Sequence, residues 1–477
     1  MFEIFRQQPR PFYMIFMLEI WERFGFYTVQ GILILYFIHV LGFDEISAYH
    51  TFGAFIALMY GIVPLGGYLG DKCLGTKRTL VLGLFILTSG YIALALSNSA
   101  NVFFALGLIC VGNGIFKSNP TSLLSKCYAQ DDPQLHGGFT LYYMSINLGA
   151  IFALIIGPWA AHKYGYRYAY LISAGGLLLG LLNYGLRRKD LAEICLPADA
   201  RRICWWLWAL IISGLIALTI AAAFLLQAIA ITQSLVALIT CVMVIFYFYS
   251  MHKEDIKTRR KMLLAFLMMV EAVIFFSLYH QMPASLTLFA VKHVQTHFLG
   301  MNINPVSLQV LNPIWIMTLS PVLAGIYLRL NQAQINIPIP FKFALGMFAC
   351  GLSFLVLAAG RFMHTEQAQV SIWLLIVSYG LQGLGELFVS ALGTAMIAEL
   401  VPQRMIGWVI GMWFLTSSVA GFTGAKISAY TAVTVPLGSA LDSLMLYTRV
   451  FGYIGWSTVA CAVILGLLAP RLSRLMR

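Results

Sequence analysis

The 477-residue sequence is 60% hydrophobic and 10% charged, with a mean hydropathy of +0.84. This composition excludes a soluble globular protein, in which apolar residues average about 45–50%, and it indicates a membrane protein with many spans. The net charge of +12 does not indicate nucleic-acid binding, because the basic residues lie mainly in short loops, as the positive-inside rule predicts.

Fourteen apolar runs are each long enough to cross a hydrocarbon layer of about 30 Å. The first run is too long for a cleavable signal peptide, so none is expected. We predict an all-α membrane protein whose spans lie near residues 12–38, 47–69, 79–97, 102–125, 138–161, 168–186, 205–226, 233–251, 262–290, 306–328, 341–360, 370–398, 405–430 and 449–470.

The loops between the runs indicate orientation and domain organisation. If the amino terminus is cytoplasmic, 22 Lys and Arg residues face the cytoplasm and five face the other side, which predicts that both termini are cytoplasmic. The runs group as an amino-terminal six-helix bundle (1–190), a linker with two extra spans (191–260) and a carboxy-terminal six-helix bundle (261–477). This grouping is typical of two related bundles with a substrate site between them, and the uncharged extra pair is predicted to pack outside them.

Three charges interrupt the first apolar run. Glu19, Glu22 and Arg23 are spaced so that one helix face carries all three, near the middle of the membrane. A lone charge at that depth costs at least about 2.5–3.5 kcal/mol, so these side chains need each other, water or a ligand. We interpret them as a functional site; the alternative is an ion pair that only closes a helix contact.

Three further charges lie inside other runs. Lys117 is in the second half of the fourth run, where the carboxylates of the first run are the nearest partners in register; the alternative is that it extends to the inner surface. Glu386 has no cation in its own bundle at similar depth, which suits an amine ligand, whereas the alternative is a protonated side chain bonded to helix backbone. Glu271 lies nearer the inner surface and is predicted to be a gating residue or part of an inner ion pair.

Uncharged or titratable groups complete the candidate site. His280 and Gln281, farther along the run that carries Glu271, are candidates for contact with substrate or protons. His50 can titrate between pH 5 and 8. Weaker polar candidates, which membrane helices also use to hold one another, are Tyr27, Tyr60, Asn147 and Asn312.

Catalytic and metal-binding patterns are lacking. The eight cysteines form no CxxC pair and are predicted to be small buried hydrophobic residues, neither disulfide-bonded nor metal-ligating. The sequence has no HExxH motif, phosphate-binding loop or nucleophile elbow. We therefore expect a protein that is not an enzyme and has no metal or organic cofactor.

Several segments together resemble one transporter family. Glu19–Tyr27 is similar to the ExxERFxYY signature of the proton-dependent oligopeptide transporters, with Phe26 in place of the first Tyr, and Phe139–Gly149 is similar to their FYxxINxG signature. Gly112–Asn119 and Gly383–Phe388 also match. The resemblance covers nearly the whole chain and is closest to the di- and tripeptide permeases of Gram-negative bacteria.

A loop segment resembles a wider superfamily. Gly67–Arg78 is similar, with one extra residue, to the loop signature of the major facilitator superfamily, and with the six-plus-six count it implies that fold. In this loop, Asp71 is expected to meet a neighbouring helix terminus.

The family resemblance implies roles for individual residues. Arg23 and Lys117 would bind the peptide carboxylate, and Glu386 would bind its amino group. Glu19 and Glu22 would carry or relay the coupling proton, which replaces any cofactor, and would pair with Arg23 and Lys117 when the site is empty. The peptide backbone would be held by Tyr27, Tyr60, Asn147 and Asn312, and Gln281 remains a separate candidate for substrate binding.

Two positions depart from the family pattern. Gln30 stands where many members have Arg, so the cationic group is smaller, and His280 stands where many have an acid. His50 matches a proton-linked His of animal members, which implies a part in proton coupling.

The expected function is import of di- and tripeptides with protons by alternating access. The resemblance implies a bacterial inner-membrane protein that functions as a monomer in the lipid bilayer, with peptides and protons as partners and no nucleic acid. One alternative is a transporter of nitrate, amino acids or drugs on the same fold, and another is an intramembrane enzyme.

Overall fold

A computed structural model describes residues 5–128, 134–191, 194, 198–200, 203–298, 300–335, 337–432 and 439–474. Cys195, Arg201, Arg202 and Arg477, which entered the cysteine and charge predictions, lie outside these ranges. The α-helices of ten residues or more in the first half are α1 (Arg10–His39), α2 (Glu45–Tyr68), α3 (Thr76–Ala95), α4 (Val102–Lys117), α6 (Gln134–Tyr164), α7 (Tyr166–Arg187), α8 (Trp205–Gln227) and α9 (Ile229–His252).

A short helix, α5 (Asn119–Ser125), follows α4. The later helices are α10 (Ile256–Tyr279), α11 (Ser285–His293), α12 (Leu311–Gln332), α13 (Ile339–Ala358), α14 (Ile372–Leu400), α15 (Ile406–Ala429) and α16 (Ala440–Arg474). Strands β1 (His297–Phe298) and β2 (Met301–Asn302) form an antiparallel pair between α11 and α12. The helical fold class is thus confirmed.

Each predicted apolar run corresponds to helix, but two runs are broken. The run predicted at 102–125 divides at Ser118 because Pro120 has no N–H to continue the ladder. At this break the Asn119 side chain bonds to the backbone of α4: its Nδ2 donates to the Ile115 carbonyl at 2.7 Å. The run predicted at 262–290 divides into α10 and α11 at residues 280–284, which contain Pro283.

Thirteen helical spans within the described residues are long and apolar enough to cross a membrane. The predicted number of fourteen depends on α1, which is not one of the thirteen. This helix carries Glu19, Glu22 and Arg23, and its 30 residues extend about 45 Å, which is more than the hydrocarbon thickness.

The first compact unit contains Met1–Gly42 and Ala54–Thr232. Within it α1 packs on α6 and α7, and α3 packs on α4 and α7. Its largest fully buried side chains include Phe37, Phe116 and Tyr170. This unit holds the charged residues of α1 and Lys117 of α4.

The second compact unit contains Phe43–Gly53 and Gln233–Arg477. In it α13 packs on α14 and α16, and α10 packs on α15. The first residues of α2 belong here: Glu45 forms an ion pair with Lys292, and a Cβ at Gly53 would lie 2.6 Å from the Gly421 carbonyl oxygen. The remainder of α2 belongs to the first unit.

The extra helices α8 and α9 are mostly exposed. α8 packs on α4, and Phe246 and Tyr247 of α9 contact Trp408 with ring centroids 5.1 and 5.9 Å apart. The prediction that the cysteines are buried is wrong for Cys204 and Cys241, which are exposed. Both lie at or in these two helices, whose apolar outer faces are available to lipid.

The loop before α3 is fixed by a residue far along the chain. Gly75, the residue before α3, has no side chain to cap the helix, and the Asp199 Oδ1 atom accepts a hydrogen bond from the Lys77 N–H at 3.2 Å instead. Lys77 Nζ also donates to the Leu191 carbonyl at 2.5 Å. Asp71 was expected to meet a helix terminus at this loop, but it is exposed, and Asp199 meets the terminus of α3.

Replacing Asp199 with Ala is expected to lower stability, because α3 would lose its only side-chain acceptor among the described residues. The expected loss is about 1 kcal/mol, or about 2–4 °C in Tm for a unit of this size, measured by thermal unfolding of the purified protein. Asp199→Asn keeps an acceptor oxygen and should retain most of the stability. Equal Tm values for Asp199→Ala and Asp190→Ala, a control in the same linker, would contradict this cap.

Candidate functional site

The three charges of α1 form one buried group. Arg23 Nε lies 3.1 Å from Glu19 Oε1, and Arg23 Nη2 lies 2.5 Å from Glu22 Oε2. The exposed fractions of Glu19, Glu22 and Arg23 are 3%, 0% and 5%. Because removing one member of a buried pair costs about 3–5 kcal/mol, neutralising either acid leaves Arg23 in need of another anion.

Lys117 is held by aromatic rings and not by a carboxylate. Its Nζ atom lies 4.0 Å from the centroid of the Tyr60 ring and 5.7 Å from that of Phe26, distances at which a cation is attracted to a ring face. The predicted pairing of Lys117 with the α1 carboxylates is absent from the described part of the chain. Arg23, on the same helix as both acids, takes one oxygen of each instead.

Asn113 is a member of this group that the sequence analysis did not select. Its Nδ2 atom donates to Glu22 Oε1 at 3.0 Å, the oxygen that Arg23 leaves available. It precedes Lys117 by four residues and therefore shares its helix face, a signal that could have identified it. Tyr142, from the second signature segment, adds a side-chain hydrogen bond to Glu19.

Gly149 allows α6 to approach the charged group. A Cβ at this position would lie 2.6 Å from the Ile20 carbonyl oxygen and 2.7 Å from Arg23 Cβ, closer than real contacts permit. A larger residue would therefore push α6 away from α1, and with it Tyr142 and Asn147. The Gly of the FYxxINxG segment thus has a packing function.

The weaker polar candidates of the first unit are Tyr27, Tyr60 and Asn147. Tyr60 forms the ring face under Lys117, and the Tyr27 ring contacts that of Phe26 at a centroid distance of 5.0 Å. Asn147 is buried and donates to the Tyr143 carbonyl at 3.0 Å. Gln30 is also buried, with a side-chain oxygen that has no hydrogen-bond partner among the described residues.

In the second unit, Glu386 of α14 is paired with an amide and not with a cation. Asn312 Nδ2 donates to Glu386 Oε2 at 3.1 Å, and Asn312 itself is buried. No ion pair to Glu386 occurs in the described residues of the chain. A partly buried carboxylate of this kind, oriented by one amide, is suited to accept a positively charged group.

The side-chain amide of Gln281 forms four hydrogen bonds within the protein. Its Nε2 atom donates to the carbonyls of Ser277 (2.9 Å) and Gly424 (3.0 Å), and its Oε1 atom accepts from the hydroxyls of Ser285 (2.7 Å) and Ser428 (2.8 Å). These bonds join α10 and α11 across the break between them and attach both to α15. The substrate-binding role predicted for Gln281 would require one of them to open. His280, the adjacent residue, is also buried.

Glu271 and His50 also belong to the second unit. Glu271 is buried, and neither carboxylate oxygen has a hydrogen-bond partner within the described ranges. The inner ion pair predicted for Glu271 is not formed there. His50 lies in the part of α2 that belongs to the second unit, where the charges of Lys426 and Asp44 act on it.

The charged side chains of the two units are suited to bind charged groups. Within the described ranges, no three His, Cys, Asp or Glu side chains are grouped so that they could hold a metal ion. Among the residues that the structure describes, Lys117 of the first unit has no carboxylate partner and lies beside the carboxylate–guanidinium group. Glu386 of the second unit has no cation partner among them.

Comparisons with known proteins identify the family. Residues 77–440 match the model of the POT family. The dipeptide and tripeptide permease B of Photorhabdus asymbiotica is 46% identical over 473 residues, covering 98% of this chain and 97% of the relative. The protein of the same name from Salmonella typhimurium is 45% identical over 472 residues, covering 98% and 96%.

Solved structures agree with this assignment. A crystal structure of tetrameric PepTSo2 has a TM-score of 0.87 and 33% sequence identity, covering 98% of this chain and 99% of the other. A bacterial homologue of the human drug peptide transporters PepT1 and PepT2 has a TM-score of 0.86 and 32% identity, with the same coverage. By its sequence and its fold, the chain belongs to the POT family of transporters.

Proposed function

We propose that the protein is a proton-coupled symporter that imports di- and tripeptides by alternating access. The observation that carries the proposal is the buried group of Glu19, Glu22 and Arg23 beside Lys117, a cation whose described partners are ring faces. The names of the relatives, dipeptide and tripeptide permeases, support the substrate class. Glu386 supports a peptide over an anion such as nitrate, because nitrate has no amino group to bind.

In this proposal separate charged residues bind the two ends of the peptide. Lys117 and Arg23 bind the carboxylate, and Glu386, oriented by Asn312, binds the amino group. Tyr27, Tyr60, Asn147 and Asn312 hold the peptide backbone. The contacts to the two ends of the peptide are each between a charged group and its complement, which gives stronger hydrogen bonds than contacts between neutral groups.

Proton coupling follows from the sharing of Arg23. While Glu19 and Glu22 are ionised, both carboxylates hold the guanidinium. A proton on either acid removes one of these partners, and the peptide carboxylate then replaces it. Release of the proton restores the internal pairs and displaces the peptide. His50 and Glu271 are further candidates in the second unit, for proton coupling and gating respectively.

We also propose a cellular location, an orientation and an oligomeric state for the protein. The protein is placed in the bacterial inner membrane with both termini cytoplasmic, as the distribution of Lys and Arg favours, and it functions as a monomer. Its coupling ion is the proton, and it needs no metal or organic cofactor.

The proposal predicts that proteoliposomes accumulate a labelled dipeptide when the outside is made acidic. Unlabelled dipeptides and tripeptides are expected to compete, whereas a tetrapeptide, nitrate and free amino acids are not. Accumulation should vanish when a protonophore collapses the gradient. Competition by nitrate or amino acids without competition by peptides would instead favour a transporter of another solute.

A further inference from the structure

A cavity of about 430 Å³ lies in the second unit where α12 ends and α13 begins. The cavity is lined by Tyr327, Leu330 and Asn331 of α12, by Gln334, Ile335 and Ile337 after it, and by Lys342 of α13. None of these residues belongs to the charged groups described above. Arg329 near the end of α12 and Lys342 near the start of α13 are assigned to the cytoplasmic side by the basic-residue distribution.

Two donors of this cavity, the Lys342 ammonium group and the Tyr327 hydroxyl, have no acceptor among the described residues, whereas the Gln334 amide donates to the Asn331 carbonyl. Lys342 Nζ lies 4.7 Å from the centroid of the Tyr327 ring and forms no ion pair within the described residues. The Tyr327 hydroxyl is buried and has no hydrogen-bond partner among them. Glu399 acts on Lys342 electrostatically but does not reach ion-pair distance, so the ammonium group retains its capacity for an anion.

The adjoining helix ends reinforce this preference for an anion. α13 begins after Pro338 without a side-chain cap, so the positive end of its dipole faces the loop, although the N–H groups of Phe341 and Lys342 already donate to the Pro338 carbonyl. The opposing carbonyls at the end of α12 are already engaged: Arg329, Leu330 and Asn331 accept from the N–H groups of residues 333–335.

Exposed apolar side chains on α12 and α13 favour an anionic ligand that also has a hydrophobic part. Ile326, Leu328 and Phe341 are 47%, 60% and 41% exposed, and only 17% of the most apolar part of the α12 span is buried. A free phosphate would leave this surface unused. A phospholipid would cover it with its acyl chains while its phosphate entered the cavity.

We propose that this cavity binds the phosphate-bearing headgroup of an anionic phospholipid. Lys342 supplies the charge, and the Tyr327 hydroxyl and the Asn331 and Gln334 amides donate hydrogen bonds. The inner leaflet of the membrane, which is rich in anionic lipid, presents such headgroups at this level. The site is separate from peptide binding and rests on no part of the proposed transport function.

The test measures retention of phosphatidylglycerol by the delipidated full chain, titrated in detergent and read by native mass spectrometry. Lys342→Gln is expected to weaken binding about tenfold or more, because it removes a hydrogen bond to a charged group. Tyr327→Phe, which removes only the hydroxyl, is expected to weaken it by a smaller factor, and Lys342→Arg to restore most of it. Arg329→Gln, the same loss of charge near the end of α12 but outside the cavity, is the matched control.

Three outcomes would overturn the proposal. Equal weakening by Lys342→Gln and Arg329→Gln would indicate diffuse surface charge and no defined site. Equal retention of phosphatidylcholine and phosphatidylglycerol by the wild-type protein would remove the role of headgroup charge. Complete displacement of the lipid by inorganic phosphate at similar concentration would assign the site to free phosphate. A Tm close to that of the wild-type protein establishes that each variant is folded.

Discussion

Replacing Glu22 with Gln is expected to abolish peptide accumulation driven by an inward proton gradient while exchange of peptide across the membrane persists. Glu22 is fully buried between Arg23 and Asn113. Gln has nearly the same shape and still accepts the Asn113 hydrogen bond, but it can neither hold a proton nor neutralise Arg23. The variant therefore resembles a permanently protonated site.

The size of the effect follows from the gradient. One pH unit is worth about 1.4 kcal/mol per proton, which supports about tenfold accumulation for each coupled proton. The variant is expected to reach only equal concentrations inside and outside. Uptake into proteoliposomes with an imposed gradient measures accumulation, and counterflow of labelled dipeptide without a gradient measures exchange.

A matched control is Glu254→Gln, which removes another ion-paired glutamate, the partner of Arg404, from a position outside the charged group of α1. It should accumulate peptide as the wild-type protein does. Accumulation by Glu22→Gln that still follows the gradient would exclude Glu22 as the coupling acid and leave Glu19 as the next candidate.

Most of the helices, and the charged residues of the candidate site, could be predicted from the sequence. Apolar runs predicted the helices because a membrane span needs about twenty apolar residues in succession, which is a local property. The Glu19–Arg23 pair was predictable for the same reason, since residues four apart on a helix face each other, and Glu22 lies three residues from Glu19.

The sequence did not predict which residues far apart in the chain contact each other. Lys117 was predicted to pair with Glu19 and Glu22, but Arg23 forms the ion pairs with both acids. The Lys117 ammonium group lies over the ring of Tyr60, which is 57 residues away in the chain. Asp199 caps α3 from a position 122 residues distant, and Gln281 bonds to Gly424 and Ser428 across more than 140 residues. Such contacts depend on how helices pack, and neither periodicity nor composition encodes that directly.

The Glu386→Gln variant is expected to lose affinity for peptides with a free amino terminus and to keep its weaker affinity for N-acetylated peptides. Glu386 accepts one hydrogen bond from Asn312 at 3.1 Å and has no cationic partner within the described part of the second unit. A peptide ammonium group would supply the missing charge. Gln retains the shape and the Asn312 contact, so the change removes the charge alone.

A hydrogen bond between charged groups contributes about 1.5–3 kcal/mol, so the affinity for dialanine should fall about tenfold to a hundredfold. Thermal-shift titration of the purified protein with dialanine and N-acetyl-dialanine measures both affinities without depending on uptake. Glu399→Gln, on the same helix but exposed, is the control and should bind both peptides as the wild-type protein does. An equal loss for the two peptides would contradict the assignment, because a residue that binds the amino group must distinguish a charged amine from an acetylated one.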